Sequence, residues 1–133
     1  MIIAQALLFS LFAPFVLWPI EVALPYPHIL EELAKLLILL PLVDSKFGAK
    51  EKLFIGGLAG VAFALTESVF YLYNIFLVGS FMTYILRLAL TIPFHSLTYL
   101  VILVPALFNK KLVVIGFLAA VVLHYFFNKS LGI

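Results

Sequence analysis

Long apolar stretches follow one another along this chain with little hydrophilic sequence between them, and this pattern restricts the fold more than any other feature. Of its 133 residues, 66% are hydrophobic and 11% are charged, whereas soluble domains are about 45–50% apolar and about 25% charged. A helix needs about 20 apolar residues to cross a hydrocarbon layer of ~30 Å. The pattern therefore predicts an all-α, polytopic bundle of about five transmembrane helices.

The predicted spans lie within a single integral membrane domain, residues 1–133, and cover about residues 2–20, 28–43, 53–78, 81–107 and 112–128. We expect Gly79-Ser80 to form a tight turn. The first span has no basic amino-terminal region, and Pro25-Tyr26-Pro27 does not resemble a small-residue cleavage site. We therefore predict a retained helix rather than a signal peptide.

The charged residues outside the spans predict the orientation of the chain. Five lysines fall on the same side as the amino terminus, namely Lys46, Lys50, Lys52, Lys110 and Lys111, and only Lys129 falls opposite. The positive-inside rule then places the amino terminus in the cytoplasm and the carboxyl terminus outside the cell membrane.

A net charge of +2 gives no indication of nucleic-acid binding, and the absence of cysteine excludes disulfides and thiolate metal sites.

Several ionisable residues lie inside the predicted spans, and this is the strongest functional signal in the sequence. They are Glu31, Glu32, Lys35, Glu67, Arg87, His95 and His124. Each unpaired charge at a helix centre costs about 2.5–3.5 kcal/mol or more. Three carboxylates face two cations, which leaves one negative charge. A protonated carboxyl group, an imidazolium or a bound metal ion would each compensate it, and the sequence leaves these three alternatives open.

Helical spacing predicts that these side chains converge. Glu31 and Lys35 are spaced i,i+4 and are expected to pair directly. The later spans carry similar polar faces, which consist of Glu67, Tyr71 and Asn74; of Arg87, Thr91, His95 and Thr98; and of His124 and Asn128. We therefore expect one polar cavity that opens to one side of the membrane.

Four short motifs follow in order along the chain, and the ordered set resembles the PrsW family of intramembrane proteases. They are Glu31-Glu32-x-x-Lys35, Phe63-Ala-Leu-Thr-Glu67, a helix from Arg87 to His95, and His124-Tyr-Phe-Phe-Asn128. This family is similar to the CAAX-prenyl endopeptidases and bacteriocin-processing enzymes. The resemblance implies an active centre of Glu31, Glu67, His124 and Asn128, supported by Glu32 and Lys35, with His95 as a further site residue.

The chemistry of these residue types suits peptide hydrolysis. We hypothesise that Glu31 activates water, that Glu67 and His124 orient that water or bind a metal, and that the amide of Asn128 stabilises the oxyanion. Carboxylate and imidazole side chains are usual zinc ligands. If Zn²⁺ is bound, we expect two or three of its ligands to come from Glu31, Glu67, His95 and His124. The sequence has no H-E-x-x-H motif, which excludes a zincin-like site. A metal-free, glutamate-dependent hydrolase is the alternative.

Two functions of other classes remain open at this point. One is a non-catalytic membrane scaffold, in which the acids hold the helices together, and the other is a small proton-coupled transporter that uses the same acids. The expected partners are membrane lipid and a membrane-protein or peptide substrate. Gly56 and Gly60 form a G-x-x-x-G motif that also allows a homodimer. Glu21 and Glu51 are expected to be solvated loop charges.

Overall fold

The computed structural model describes the backbone of residues 1–78 and 80–131, and the side chains of these residues other than 73–78. Gly79 of the predicted turn and the side chain of Asn74 therefore lie outside the described residues.

The described residues form five α-helices, as predicted. They are α1 (Ile2–Glu21), α2 (Pro27–Asp44), α3 (Ala49–Val78), α4 (Phe81–Phe108) and α5 (Val113–Leu131), with a short 3₁₀ helix at Lys110–Leu112 before α5. All of these helices except α2 contain a segment that is long and apolar enough to cross a membrane. The exception has a simple cause, because α2 carries Glu31, Glu32 and Lys35 within 18 residues.

Two helices extend beyond their predicted bounds, into polar residues that we had predicted to lie in loops. Helix α3 begins at Ala49 rather than at 53, because the carboxylate of Glu51 accepts the backbone N–H of Gly48 at 2.8 Å and caps the first turn. Helix α1 continues through Pro19 to Glu21. A proline removes only one backbone donor, so a helix packed against neighbours continues past it.

The helices form a closed ring in the order α1, α3, α4, α5, α2, and α2 also contacts α4 across the interior. Leu39, Phe63, Tyr99 and Ile102 are fully buried between them. Large apolar side chains cover the outer surface, for example Phe9, Phe12, Leu118 and Phe126. Such an exterior requires a lipid environment, and the protein is a multi-pass membrane protein.

Glycine allows the closest approach between α3 and α4. A Cβ atom added at Gly60 would lie 2.5 Å from Cα of Ser96 and 2.8 Å from the carbonyl oxygen of His95, and one at Gly56 would collide with Leu103. The G-x-x-x-G motif therefore serves packing within the chain. A homodimer stays a prediction, but these two glycines already face α4.

Candidate active centre

Lys35 on α2 is the centre of a buried polar network. Its ammonium group lies 2.6 Å from Oε1 of Glu32, 2.8 Å from Nδ1 of His95 and 3.0 Å from Oγ1 of Thr98. These three partners use all three of its donors. The predicted pair of Lys35 with Glu31 is wrong, since Lys35 pairs with Glu32 at i,i+3. Consecutive residues point about 100° apart on a helix, and it is Glu32 that faces the interior between α4 and α5.

Glu32 also determines which ring nitrogen of His124 carries the proton. The same Oε1 lies 2.7 Å from Nδ1 of His124. A carboxylate paired with an ammonium group only accepts hydrogen bonds, so Nδ1 of His124 carries the proton. Its other ring nitrogen, Nε2, keeps a free lone pair and lies 3.8 Å from Oε2 of Glu31.

His95 is held in the opposite tautomer. Its Nδ1 accepts from the Lys35 ammonium group, so the proton of the neutral ring lies on Nε2. That nitrogen lies 2.6 Å from Oε2 of Glu67. The contact is close but poorly aligned, and within the described residues this oxygen has no hydrogen-bond partner of proper geometry. The two histidines therefore present different groups to the centre: a lone pair from His124 and an N–H from His95.

Three buried residues have the arrangement of a metal-ligand group. Each of Glu31, His95 and His124 offers one ligand atom within 4.8 Å of the others. Oε2 of Glu31 lacks a hydrogen-bond partner among the described residues, and a carboxylate on the far side of a histidine, such as Glu32 on His124, is typical of metal sites. Carboxylate oxygen and imidazole nitrogen suit zinc. Glu31 and His124 fit a metal as they stand, whereas His95 fits only if its Nε2 proton is lost.

Two cavities meet at this centre, where one was predicted. The larger, about 680 Å³, is lined by the candidate catalytic residues other than Glu32 and Lys35. Polar side chains near the helix ends also line it, and the set includes Tyr26, His28, Glu31, Glu67, Arg87, Thr91, His95, His124, Asn128 and Lys129. The smaller, about 400 Å³, is mostly apolar and lies between α1 and α3. Glu31 and Glu67 line both of them. Asn128 is half-buried and lies on the same face of α5 as His124.

Sequence reasoning missed Glu21. We expected it in a solvated loop, but it is the last residue of α1 and lines both cavities beside Glu31 and Glu67. Its Oε1 is buried and has no hydrogen-bond partner among the residues described. The sequence signal was an acidic residue directly after an apolar span. We did not use it because Pro19 suggested that α1 ends before Glu21.

Arg87 has a further partner that the pattern did not predict. Its guanidinium carbon lies over the ring of Tyr71, 3.2 Å from the centroid, and this cation–π contact joins α4 to α3. This contact holds a second cation at the wall of the larger cavity, which both residues line.

Comparison with known families agrees with this geometry. The sequence profile described as PrsW family intramembrane metalloprotease matches residues 4–133. The chain belongs to the PrsW family. The match covers nearly the whole chain and confirms the resemblance seen in the four motifs. At family level the protein is therefore an intramembrane protease, and the family is described as one of metalloproteases. No curated protein and no solved structure matches the chain.

Proposed function

We propose that the chain is an intramembrane endopeptidase that hydrolyses a peptide bond of a membrane protein with water activated by Glu31. The observation that carries the proposal is the buried pair of Oε2 of Glu31 and Nε2 of His124, 3.8 Å apart. The oxygen has no hydrogen-bond partner among the described residues, and the nitrogen keeps its lone pair. One small polar species, either a water molecule or a cation, fits in contact with both.

The charges around the cavities favour a divalent cation at this point. Four carboxylates line them or lie directly behind them, namely Glu21, Glu31, Glu32 and Glu67, whereas the cations built into the helix walls are Lys35 and Arg87. Lys129 also lines the larger cavity, so one negative charge remains among the described residues if the histidines are neutral. Glu31 and His124 would hold the ion, with Glu32 supporting His124. Bound there, a divalent ion would supply a Lewis acid next to the scissile carbonyl.

With a water molecule instead of a cation between Glu31 and His124, the protein residues would have separate roles. Glu31 takes the proton of the attacking water, since its Oε2 is buried and has no hydrogen-bond partner in the described part of the chain. His124 orients that water through Nε2. Once protonated, the carboxyl group of Glu31 returns this proton to the leaving amine, while Glu67 contacts His95 and holds it in place.

Two donors are available for the oxyanion. The side-chain amide of Asn128 lines the larger cavity together with Glu31 and His124. The Nε2 proton of His95 is held toward the same cavity because Lys35 occupies the opposite ring nitrogen. Donors fixed in place before the reaction stabilise developing charge without reorganisation. Lys35 and Glu32 act through the histidines rather than on the substrate.

A cleavage assay tests the proposal. Transmembrane peptides of varied sequence are incubated with wild type, Glu31→Gln and His124→Ala in detergent, with and without a chelator, and the products are identified by mass spectrometry. Glu51→Gln is the matched control, because Glu51 is exposed and only caps α3. We expect cuts by wild type and Glu51→Gln that both site variants lack. Equal cutting by Glu31→Gln would contradict the proposal.

One observation favours the scaffold alternative. The network of Lys35 joins α2 to α4, and Glu32 joins α2 to α5, so these buried charges do hold helices together. A scaffold, however, has no need for Glu31 Oε2, which is buried without a hydrogen-bond partner among the residues described. If the protein is a scaffold, Glu31→Gln should leave stability unchanged or raise it, and wild type should cut no peptide.

A further inference from the structure

The smaller cavity, between α1 and α3, is not used by the chemistry above. We propose that it binds an apolar side chain of the substrate, from a residue next to the scissile bond, and that the substrate segment reaches it from the lipid side. This inference rests on the proposed function and adds a substrate class to it: transmembrane segments with a large aliphatic or aromatic residue at the cleavage site.

The first argument is the composition of the wall. Pro14 and Trp18 from α1 and Phe63, Val69 and Phe70 from α3 form most of it. A volume of about 400 Å³ is within the range of small-ligand pockets, which are mostly apolar with a few polar groups. The carboxylates at one end would repel an acidic side chain.

The second argument is the position of the cavity relative to the centre. Glu31 and Glu67 line it as well as the larger cavity. A residue whose side chain fills the smaller cavity would therefore have its backbone carbonyl close to Glu31. Water would enter from the other side, through the larger and more polar cavity.

The third argument is access. Trp18 and Val69 are 52% and 51% exposed on the outer surface of the bundle, where the surroundings are lipid. The rings of Trp18 and Phe70 stack with centroids 5.5 Å apart and planes at 9°. A contact between two aromatic side chains therefore bridges α1 and α3 beside the cavity. A side chain entering from the bilayer would separate these two rings and replace their contact.

Filling the cavity gives the sharpest test. Peptides with Ala, Leu or Phe at each position near the cut are compared in liposomes, with wild type, Val69→Trp and Val122→Trp. Val122 is 54% exposed on α5 and is not among the residues that line the cavity, so it is the matched control. We expect wild type and the control to prefer Leu or Phe over Ala at one position by about 10-fold or more in kcat/KM. Val69→Trp should lose that preference while still cutting the Ala peptide. A preference unchanged in Val69→Trp overturns the inference.

Photolabelling gives a second measurement that does not need turnover. A peptide with photoreactive leucine at the preferred position is irradiated with Glu31→Gln, and the labelled residues are located by mass spectrometry. Labels within residues 14–21 and 63–71 support the inference, and labels confined to other helices overturn it. If wild type cuts no peptide but the label falls within these segments, the proposed function fails and the binding site stands. If wild type cuts without preference and the label lies elsewhere, the inference alone fails.

Discussion

Oε1 of Glu32 lies 2.7 Å from Nδ1 of His124, and this contact joins α2 to α5 across 92 positions of sequence. The same oxygen binds the ammonium group of Lys35. Glu32 therefore fixes the orientation of a histidine on one side and neutralises a buried cation on the other. The candidate active centre depends on Glu32 although Glu32 does not contact the substrate in our account.

Replacing Glu32 by Gln should weaken the support of His124 without changing the shape of the side chain. The neutral amide accepts more weakly than a carboxylate and can present its NH₂ group to the ring instead. If a metal binds at Glu31 and His124, we expect its affinity to fall about 10–100-fold, as is usual when the outer partner of a ligand histidine is changed. Zinc titration by calorimetry measures this, with Glu51→Gln as control. Equal zinc affinity in Glu32→Gln and wild type would exclude this role.

Replacing Lys35 by Met should destabilise the bundle strongly. The change leaves the buried carboxylate of Glu32 without its cation, and breaking a buried ion pair from one side costs about 3–5 kcal/mol. Unfolding in mixed detergent micelles measures the loss. The double variant Lys35→Met with Glu32→Gln should recover part of it, because no unpaired charge then remains. A double variant as unstable as the sum of both single variants would show that the pair is not coupled.

Gly60→Ala should separate α3 from α4, since the new methyl group would meet the backbone of Ser96 and His95. Overpacking of this kind costs about 1–3 kcal/mol, and the shift would also lengthen the contact between His95 and Glu67. Gly57→Ala is the matched control, because no atom lies within 4 Å of a Cβ placed there. We expect lower stability and lower activity for Gly60→Ala only. Similar losses in both variants would show that the contact of Gly60 with α4 is not the cause, because Gly→Ala by itself raises helix propensity.

Orientation is open to a direct measurement because the chain has no cysteine. Single cysteines at Lys111 and Lys129 lie at opposite ends of α5. We expect a membrane-impermeant thiol reagent to label Lys129→Cys in intact cells and Lys111→Cys only after the cells are opened. The reverse pattern would place the amino terminus outside.

Much of the fold follows from the sequence because lipid imposes a simple rule. Each apolar stretch had to become a helix, and each buried charge had to face the interior, so the convergence of Glu67, His95 and His124 could be predicted from spacing alone. The specific ion pairs within that interior could not be predicted in this way. Whether Lys35 reaches Glu31 or Glu32 depends on the rotation of α2 against α4 and α5, which no local pattern specifies.

Glu21 and the second cavity lay beyond sequence reasoning for a related reason. A proline near the end of an apolar stretch is compatible with both a helix end and a continued helix, and tertiary packing decides between them. The cavity beside Trp18 arises from the shapes of α1 and α3 in contact. It leaves no periodic signal in either helix.

We propose that Glu31 activates the water that cleaves the peptide, and cleavage in ¹⁸O-labelled water follows the oxygen of that water into the product. Wild type and Glu31→Gln are compared on one transmembrane peptide, and both fragments are weighed by mass spectrometry. We expect one ¹⁸O atom in the new carboxyl terminus for wild type, and a rate lower by about 10²–10⁴-fold for Glu31→Gln. Glu31→Gln that cuts at the wild-type rate, or wild-type products without ¹⁸O, would contradict it.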